Sequence, residues 1–281
     1  MRTANLGGRL VLVQGGRALD VASASGGAYG PDPQAVFDDW DGFRKWADSA
    51  DFRAAEPFRS EDLGPPVPRP GQVFAIGVNY REHADESGYS ADSRPVVFTK
   101  YRSCLTGPVA EVTLRGDRCD WEVELVVVIG RPAVEVPAAD AWSYVAGVTV
   151  GQDISDRALQ LDGERPQFSL GKSWPGFGPT GPVLVTPDEL ADPDDLALGC
   201  TLRGEVLQSS RTSRMIYGVP RLVEYLSAHC ALAPGDLVFT GTPSGVGNAR
   251  VPRRYLAAGD VLVSTVEGIG ELRTTFVAPS V

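Results

Sequence analysis

Short apolar runs closed off by glycine or proline recur along most of this chain, and they constrain its fold more than any other feature. Val73 to Val78, Val96 to Thr99, Val109 to Leu114, Val123 to Ile129, Tyr144 to Val150, Val183 to Thr186, Leu237 to Thr240 and Val261 to Val266 are the main ones. Runs of four to seven residues suit strands; a helix needs about ten or more to bury a face. The 32 glycines and 22 prolines among 281 residues supply the turns between them. Leu196 to Leu207 reads as a hairpin turning at Arg203-Gly204, and Arg9 to Ala22 as another turning at Gly15-Gly16. The expected class is α+β and strand-dominated, without regular βαβ alternation.

Helices should be few and short. Asp32 is an expected N-cap with Pro33 at the first helical position, and Val36, Trp40, Phe43 and Ala47 then fall on one face. Another helix begins near Asn79 and stops by Gly88, and one follows Asp153. One more starts at Pro220 and buries Leu222, Val223 and Leu226. Gly64 to Gly71 (GPPVPRPG) is the strongest linker signal. It predicts a small N-terminal α/β domain over residues 1–64 and a larger catalytic domain over 65–281.

With 43% hydrophobic residues, the chain can build a sizeable core. A net charge of −10 argues against a nucleic-acid partner, because acidic surfaces repel phosphate. No apolar run approaches the roughly 20 residues that span a bilayer, and the first eight residues lack a signal pattern, so a cytoplasmic location is expected. The cysteines, Cys104, Cys119, Cys200 and Cys230, are scattered without a CxxC pair, which excludes a zinc knot. Only His83 and His229 carry imidazoles, so any bound metal must rest mainly on oxygen.

Five segments carry residues suited to chemistry. In Asp120 to Ile129 (DWEVELVVVI), Glu122 and Glu124 are two apart in a strand and project from the same face, their Cα atoms roughly 6–7 Å apart. Such a pair can converge on a cation or simply form a solvated strand face. In Gly147 to Gln160 (GVTVGQDISDRALQ), Asp153 sits where an apolar strand gives way to a helix. It is either a third ligand for an oxygen-only divalent site or a helix cap. In Asn79 to Glu86 (NYREHADE), His83 and Glu86 share a helix face, which suits an oriented general base and also a charged surface helix. Lys172, in the Gly- and Pro-rich loop Gly171 to Pro182, can meet a carboxylate or an oxyanion. Gly241 to Gly247 (GTPSGVG) allows close approach of a ligand to backbone, and it lacks the lysine of a phosphate loop.

In this order, over residues 65 to 270, the five segments resemble the signatures of the fumarylacetoacetate hydrolase family. The resemblance implies a mixed β-sandwich roll of the family's C-terminal type, and a homodimer. It implies that Glu122, Glu124 and Asp153 hold Mg²⁺ or Mn²⁺, with Ca²⁺ also compatible. His83 and Glu86 fall on the catalytic dyad, whose segment, from about Tyr80 to Ser93 here, can order over substrate as a lid. Arg157, Gln160, Lys172 and Thr242 fall on positions that bind substrate oxygens. Two positions depart from the pattern: Ala158 stands where many members have aspartate, and Trp174-Pro175 replaces an aromatic–aspartate pair.

The implied activity is C–C bond hydrolysis of a small, acylpyruvate-like β-diketo acid through a metal-stabilised enolate. His83, oriented by Glu86, would activate water, and Lys172 would support the oxyanion. A 2-keto acid decarboxylase or a tautomerase/isomerase would use the same metal site. A non-catalytic scaffold or binding protein is the reading from another class, and the intact carboxylate trio argues against it.

Overall fold

The computed structural model describes residues 1–88 and 94–279. Two mixed sheets dominate. The larger is built from β1 (Arg2–Leu6), β2 (Arg9–Gln14), β3 (Arg17–Asp20), β4 (Val73–Gly77), β5 (Val96–Thr99), β7 (Val123–Ile129), β8 (Val145–Gln152), β9 (Gly178–Val185) and β12 (Leu237–Phe239). Its main path runs β3-β2-β1-β9-β8-β7-β12-β4-β5, antiparallel except where β12 meets β4. The smaller sheet holds β6 (Val109–Thr113), β10 (Ala197–Leu202), β11 (Glu205–Arg211), β13 (Val261–Val266) and β14 (Gly270–Val277). Its order is β11-β10-β13-β14-β6, with β6 parallel to β14. The strand-dominated α+β class is as expected.

β8 and β9 of the large sheet lie against β13 and β14 of the small one. Val148, Val150, Val183, Leu198, Val266 and Leu272 share the core there, as alternating inward positions of packed sheets require. The other face of the large sheet is covered by helix α1 (Trp40–Ala47), whose Trp40 and Phe43 bury against Leu10, Leu12, Val126, Val128 and Phe239. β7 is therefore buried along its whole length, which explains its continuous apolar run.

Both expected hairpins form. Arg203 and Gly204 have φ of 52° and 84°, and Gly15 and Gly16 have 55° and 74°, the twist that two-residue hairpin turns need. The expected helix at Asp32 is displaced. Asp32 accepts the Gln34 N–H at 3.0 Å, a 3-10 turn follows, and α1 starts only at Trp40, where Asp39 accepts from Gly42 N–H at 3.1 Å. The helix after Asp153 begins four residues later: α3 (Arg157–Gln160) is capped by Asp156, which accepts from the Ala158 and Leu159 N–H groups. Asp153 thereby keeps its carboxylate for other partners. Helix α2 (Arg81–Ser87) ends at a left-handed Gly88, and α4 (Val219–Ser227) buries Leu222, Val223 and Leu226.

The linker at 64–71 joins segments that share a sheet. β1 pairs with β9 at Arg2↔Val185 and Thr3↔Leu184, so residues before the linker extend the large sheet. All cysteines are free, and Cys104, Cys119 and Cys200 are buried. Among the described residues, no helix is long and apolar enough to cross a membrane.

Candidate metal and substrate site

The pairing of β7 with β8 assembles the three acidic candidates. Glu124 lies opposite Gly151, and beyond the strand ends Asp153 donates its N–H to the Glu122 carbonyl at 2.9 Å. Glu122, Glu124 and Asp153 are all buried, and their ligand oxygens lie within 4.8 Å of one another. Burial first, then Asp153 and Glu122, pushes the Glu124 carboxyl well above the usual carboxylate range. It accepts the Gly241 N–H at 2.8 Å and has no ion pair among the described residues. Gly241 has a φ of 97°, and a Cβ there would meet Asn79 Cβ at 2.7 Å, so only glycine turns this N–H inward.

Burial would also raise Glu122, but the Lys172 ammonium and the Arg157 guanidinium outweigh it and hold that carboxyl at about 2. Lys172 Nζ bridges Glu122 Oε2 at 2.7 Å and Asp153 Oδ2 at 2.6 Å. Arg157 contacts Glu122 Oε1 at 2.7 Å and Asp120 Oδ2 at 2.8 Å. Lys100 holds Asp153 Oδ1 at 2.7 Å. Four buried carboxylates (Asp120, Glu122, Glu124, Asp153) thus face three buried cations (Lys100, Arg157, Lys172). With all four ionised, the state a bound divalent ion would favour at Glu124, one negative charge is left over, and the ion would turn it into one positive charge, suited to an anionic ligand. The donor set is all oxygen, converging and short of positive charge at Glu124, so it fits a hard divalent cation.

Helix α2 brings the imidazole to the same place. His83 Nδ1 lies 2.7 Å from Glu86 Oε1. The Glu86 carboxylate in turn accepts the Gly245 N–H, at 3.0 Å to Oε2. Gly245 sits at φ 105°, where a Cβ would meet the Leu207 carbonyl at 2.2 Å, so the loop of residues 241–247 anchors the pair through a glycine. With Nδ1 committed to Glu86, Nε2 is the ring nitrogen left for a ligand. Residues 89–93 of the expected lid lie outside the described residues.

His83, Glu86, Glu122, Arg157, Gln160, Lys172 and Thr242 line one cavity of about 410 Å³, within the range for small-molecule sites. Glu124 and Asp153 do not line it; they lie behind Glu122 in the buried cluster. Several candidates are already engaged. Gln160 Oε1 accepts from Arg157 at 2.8 Å. The Thr242 hydroxyl donates to the Val123 carbonyl and accepts from Gln208, both at 2.8 Å, so its only proton is committed within the protein. Phe98 and Phe168 pack edge to face at 5.5 Å and form an apolar wall, with Lys172 Nζ 5.1 Å from the Phe98 ring. Ala158 borders an adjoining cavity, and Trp174 donates from Nε1 to Asp156 at 3.3 Å.

Two residues of the cluster escaped the sequence reading. Asp120 is wholly buried and accepts N–H groups from Gly247 at 2.7 Å and Asn248 at 2.9 Å as well as the Arg157 guanidinium. It continues the Glu122, Glu124 alternation by one step, a signal that was available. Lys100 gave no such sign, because a lysine ending an apolar strand ordinarily reaches solvent.

A profile described as fumarylacetoacetate (FAA) hydrolase C-terminal matches residues 72–277. The 2,4-didehydro-3-deoxy-L-rhamnonate hydrolase of a Sphingomonas species is 43% identical over 213 residues, 75% of this chain and 74% of that protein. The mitochondrial oxaloacetate tautomerase FAHD2A of Homo sapiens is 41% identical over 207 residues, 73% of this chain; the match spans only 66% of the relative's length. A crystal structure of a Mycobacterium smegmatis protein given the name HpcE superposes with a TM-score of 0.95 at 52% identity, covering 100% of both chains. The maleylpyruvate hydrolase of a Sphingobium species, solved with manganese(II) and pyruvate, does so with 0.82 at 27% identity, again over 100% of both. This chain belongs to the fumarylacetoacetate hydrolase family of enzymes.

Proposed function

We propose that this chain is a divalent-metal-dependent hydrolase that cleaves a C–C bond in a small β-diketo acid of the acylpyruvate kind. The observation that carries this reading is that His83, held by Glu86, lines the same cavity as Glu122 of the carboxylate cluster. Hydrolysis needs a base for water and a sink for electrons, and here the two stand together.

Glu122, Glu124 and Asp153 would hold Mg²⁺ or Mn²⁺, with Ca²⁺ compatible; the manganese in the maleylpyruvate hydrolase structure supports this. Such an ion would stabilise negative charge growing on a keto oxygen. Arg157 and Gln160 line the cavity and would receive the carboxylate of the keto acid through their remaining N–H groups. His83 Nε2 takes a proton from water, while Nδ1–H remains with Glu86. The hydroxide adds to the distal carbonyl, and the Lys172 ammonium faces the oxyanion. The C–C bond then breaks with its electron pair going to the pyruvate half, and the imidazolium returns its proton to that carbon. The products are a carboxylic acid and pyruvate, with one water consumed.

Tautomerisation of a keto acid is the second reading, favoured by the 41% identical oxaloacetate tautomerase. It would use His83 to move a proton without any water attack. A homodimer and a cytoplasmic location remain expectations of the sequence. The test is incubation with an acylpyruvate and with oxaloacetate in the presence of Mn²⁺. Release of pyruvate and a carboxylic acid in equal amounts supports hydrolysis. Enol–keto exchange of oxaloacetate, with the acylpyruvate left intact, would replace hydrolysis by tautomerisation.

A further inference from the structure

We propose that Lys100 is a positioning residue: its ammonium fixes Asp153 and the loop carrying Lys172, so that the carboxylate cluster and Lys172 stay in register with each other. The inference rests on the reading above that Asp153 belongs to a divalent-ion site.

Lys100 follows β5 directly and is among the largest wholly buried side chains of the molecule. Burying an ammonium costs several kcal/mol unless its donors are satisfied. An ammonium has three N–H donors, and here all three have partners. They go to Asp153 Oδ1 at 2.7 Å, to the Phe177 carbonyl at 3.1 Å and to the Lys172 carbonyl. Those two carbonyls bracket the loop of residues 172–177. A parallel tie runs from the Tyr101 N–H to Ser173 Oγ at 2.9 Å. The same Phe177 carbonyl accepts the Ile154 N–H at 3.1 Å, joining the loop to the residue after Asp153.

The result is a closed ring of contacts. Lys100 grips one oxygen of Asp153 and the backbone of Lys172, and the Lys172 side chain grips the other oxygen. Each carboxylate oxygen keeps a further lone pair for an ion. All three donors of Lys100 are taken by protein oxygens, so none is left for a ligand and Lys100 acts through its two partners.

Position and charge make opposite predictions, which makes the inference testable. Were Lys100 only a nearby positive charge, removing it would tighten binding of a divalent cation. Were it only structural filler, methionine would serve. The test uses the full chain with Lys100→Met, or Lys100→Gln if the first variant fails to fold. Three readouts are taken: amide exchange, Mn²⁺ titration by calorimetry, and turnover in a cycle with Lys172→Met. Exchange at residues 171–177 should quicken by about tenfold or more while β7 and β8 keep their protection. Mn²⁺ should bind about 10–100-fold more weakly, as when an outer-shell support is lost. At saturating Mn²⁺, which offsets the loss through Asp153, the double variant should be no slower than Lys172→Met alone, because the rest of the effect of Lys100 runs through that loop. Unchanged loop exchange, equal or tighter Mn²⁺ binding, or rate losses that multiply would overturn the proposal. Exchange and Mn²⁺ affinity do not depend on the substrate, so the expected changes there, with no pyruvate release from the native chain, would sink the hydrolase reading and leave Lys100 in its role.

Discussion

His83 has one ring nitrogen committed to Glu86 and lines the cavity beside Glu122, which fits a base oriented from behind. Replacing it by glutamine keeps a polar side chain of similar reach but removes the proton acceptor. Hydrolysis of an acylpyruvate should then fall by about 100-fold or more, the usual scale for a lost general base. Mn²⁺ affinity, measured by calorimetry, should stay the same, because His83 is not in the carboxylate cluster. A parallel fall in affinity would mean that the imidazole supports the ion instead. At this scale the sequence was informative where a residue type is rare in its setting. Two carboxylates alternating into an apolar strand, and a lone histidine near a glutamate, stand out. Lys100 did not, since nothing in Val96 to Lys100 tells that the lysine turns inward to meet an aspartate 53 residues away.

Among the elements, the N-terminal hairpin of β2 and β3 depends on Asp20. Its carboxylate takes Arg9 Nε at 2.7 Å and caps the turn after β3 by accepting the Ser23 N–H at 2.9 Å. The Arg9 hydrogen bond, only partly opposed by burial and helped by Ser23, lowers its pKa from 3.8 to about 2. A depressed acid adds stability above its unfolded pKa, and the gain disappears as pH falls through the folded value. Allowing for solvent around Arg9, Asp20→Asn should cost about 1 kcal/mol in urea unfolding at pH 5–7. That difference should shrink between pH 4 and pH 2; a constant difference would remove the charge from the explanation. The strands with unbroken apolar runs were legible, and β5, β7 and β13 match their expected bounds. β1 and β14 were not read. Thr3 and Asn5 are buried in β1, and Thr274 is buried between Leu272 and Phe276 in β14, so polar residues at inward positions hid both strands. At Asp32, two aspartates competed for a cap, and Asp39 stands next to the helix that formed.

Across the molecule, the large sheet ties the N-terminal segment to the strands that carry the site. β1 covers the edge of β9, and Leu10, Leu12, Trp40 and Phe43 cover the face of β7 and β12. Deleting residues 1–64 should bare both, and the remaining chain should aggregate or fail to melt cooperatively. A monodisperse truncated protein with a sharp melt would assign residues 65–281 an independent fold. The linker was legible because proline and glycine are local signals; the pairing of Arg2 with Val185 is a contact across most of the chain and left no local trace. The central claim is that turnover of a keto acid requires an ion held by Glu122, Glu124 and Asp153. Its most direct test is pyruvate release from an acylpyruvate during a Mn²⁺ titration of the chelator-stripped protein, for the native chain and for Glu124→Ala. The expected result is a rise from no release to a plateau near one ion per chain, with the variant flat at the same concentrations while its melting stays cooperative. Pyruvate release that is indifferent to Mn²⁺, or a Glu124→Ala curve overlying the native one, would contradict the claim.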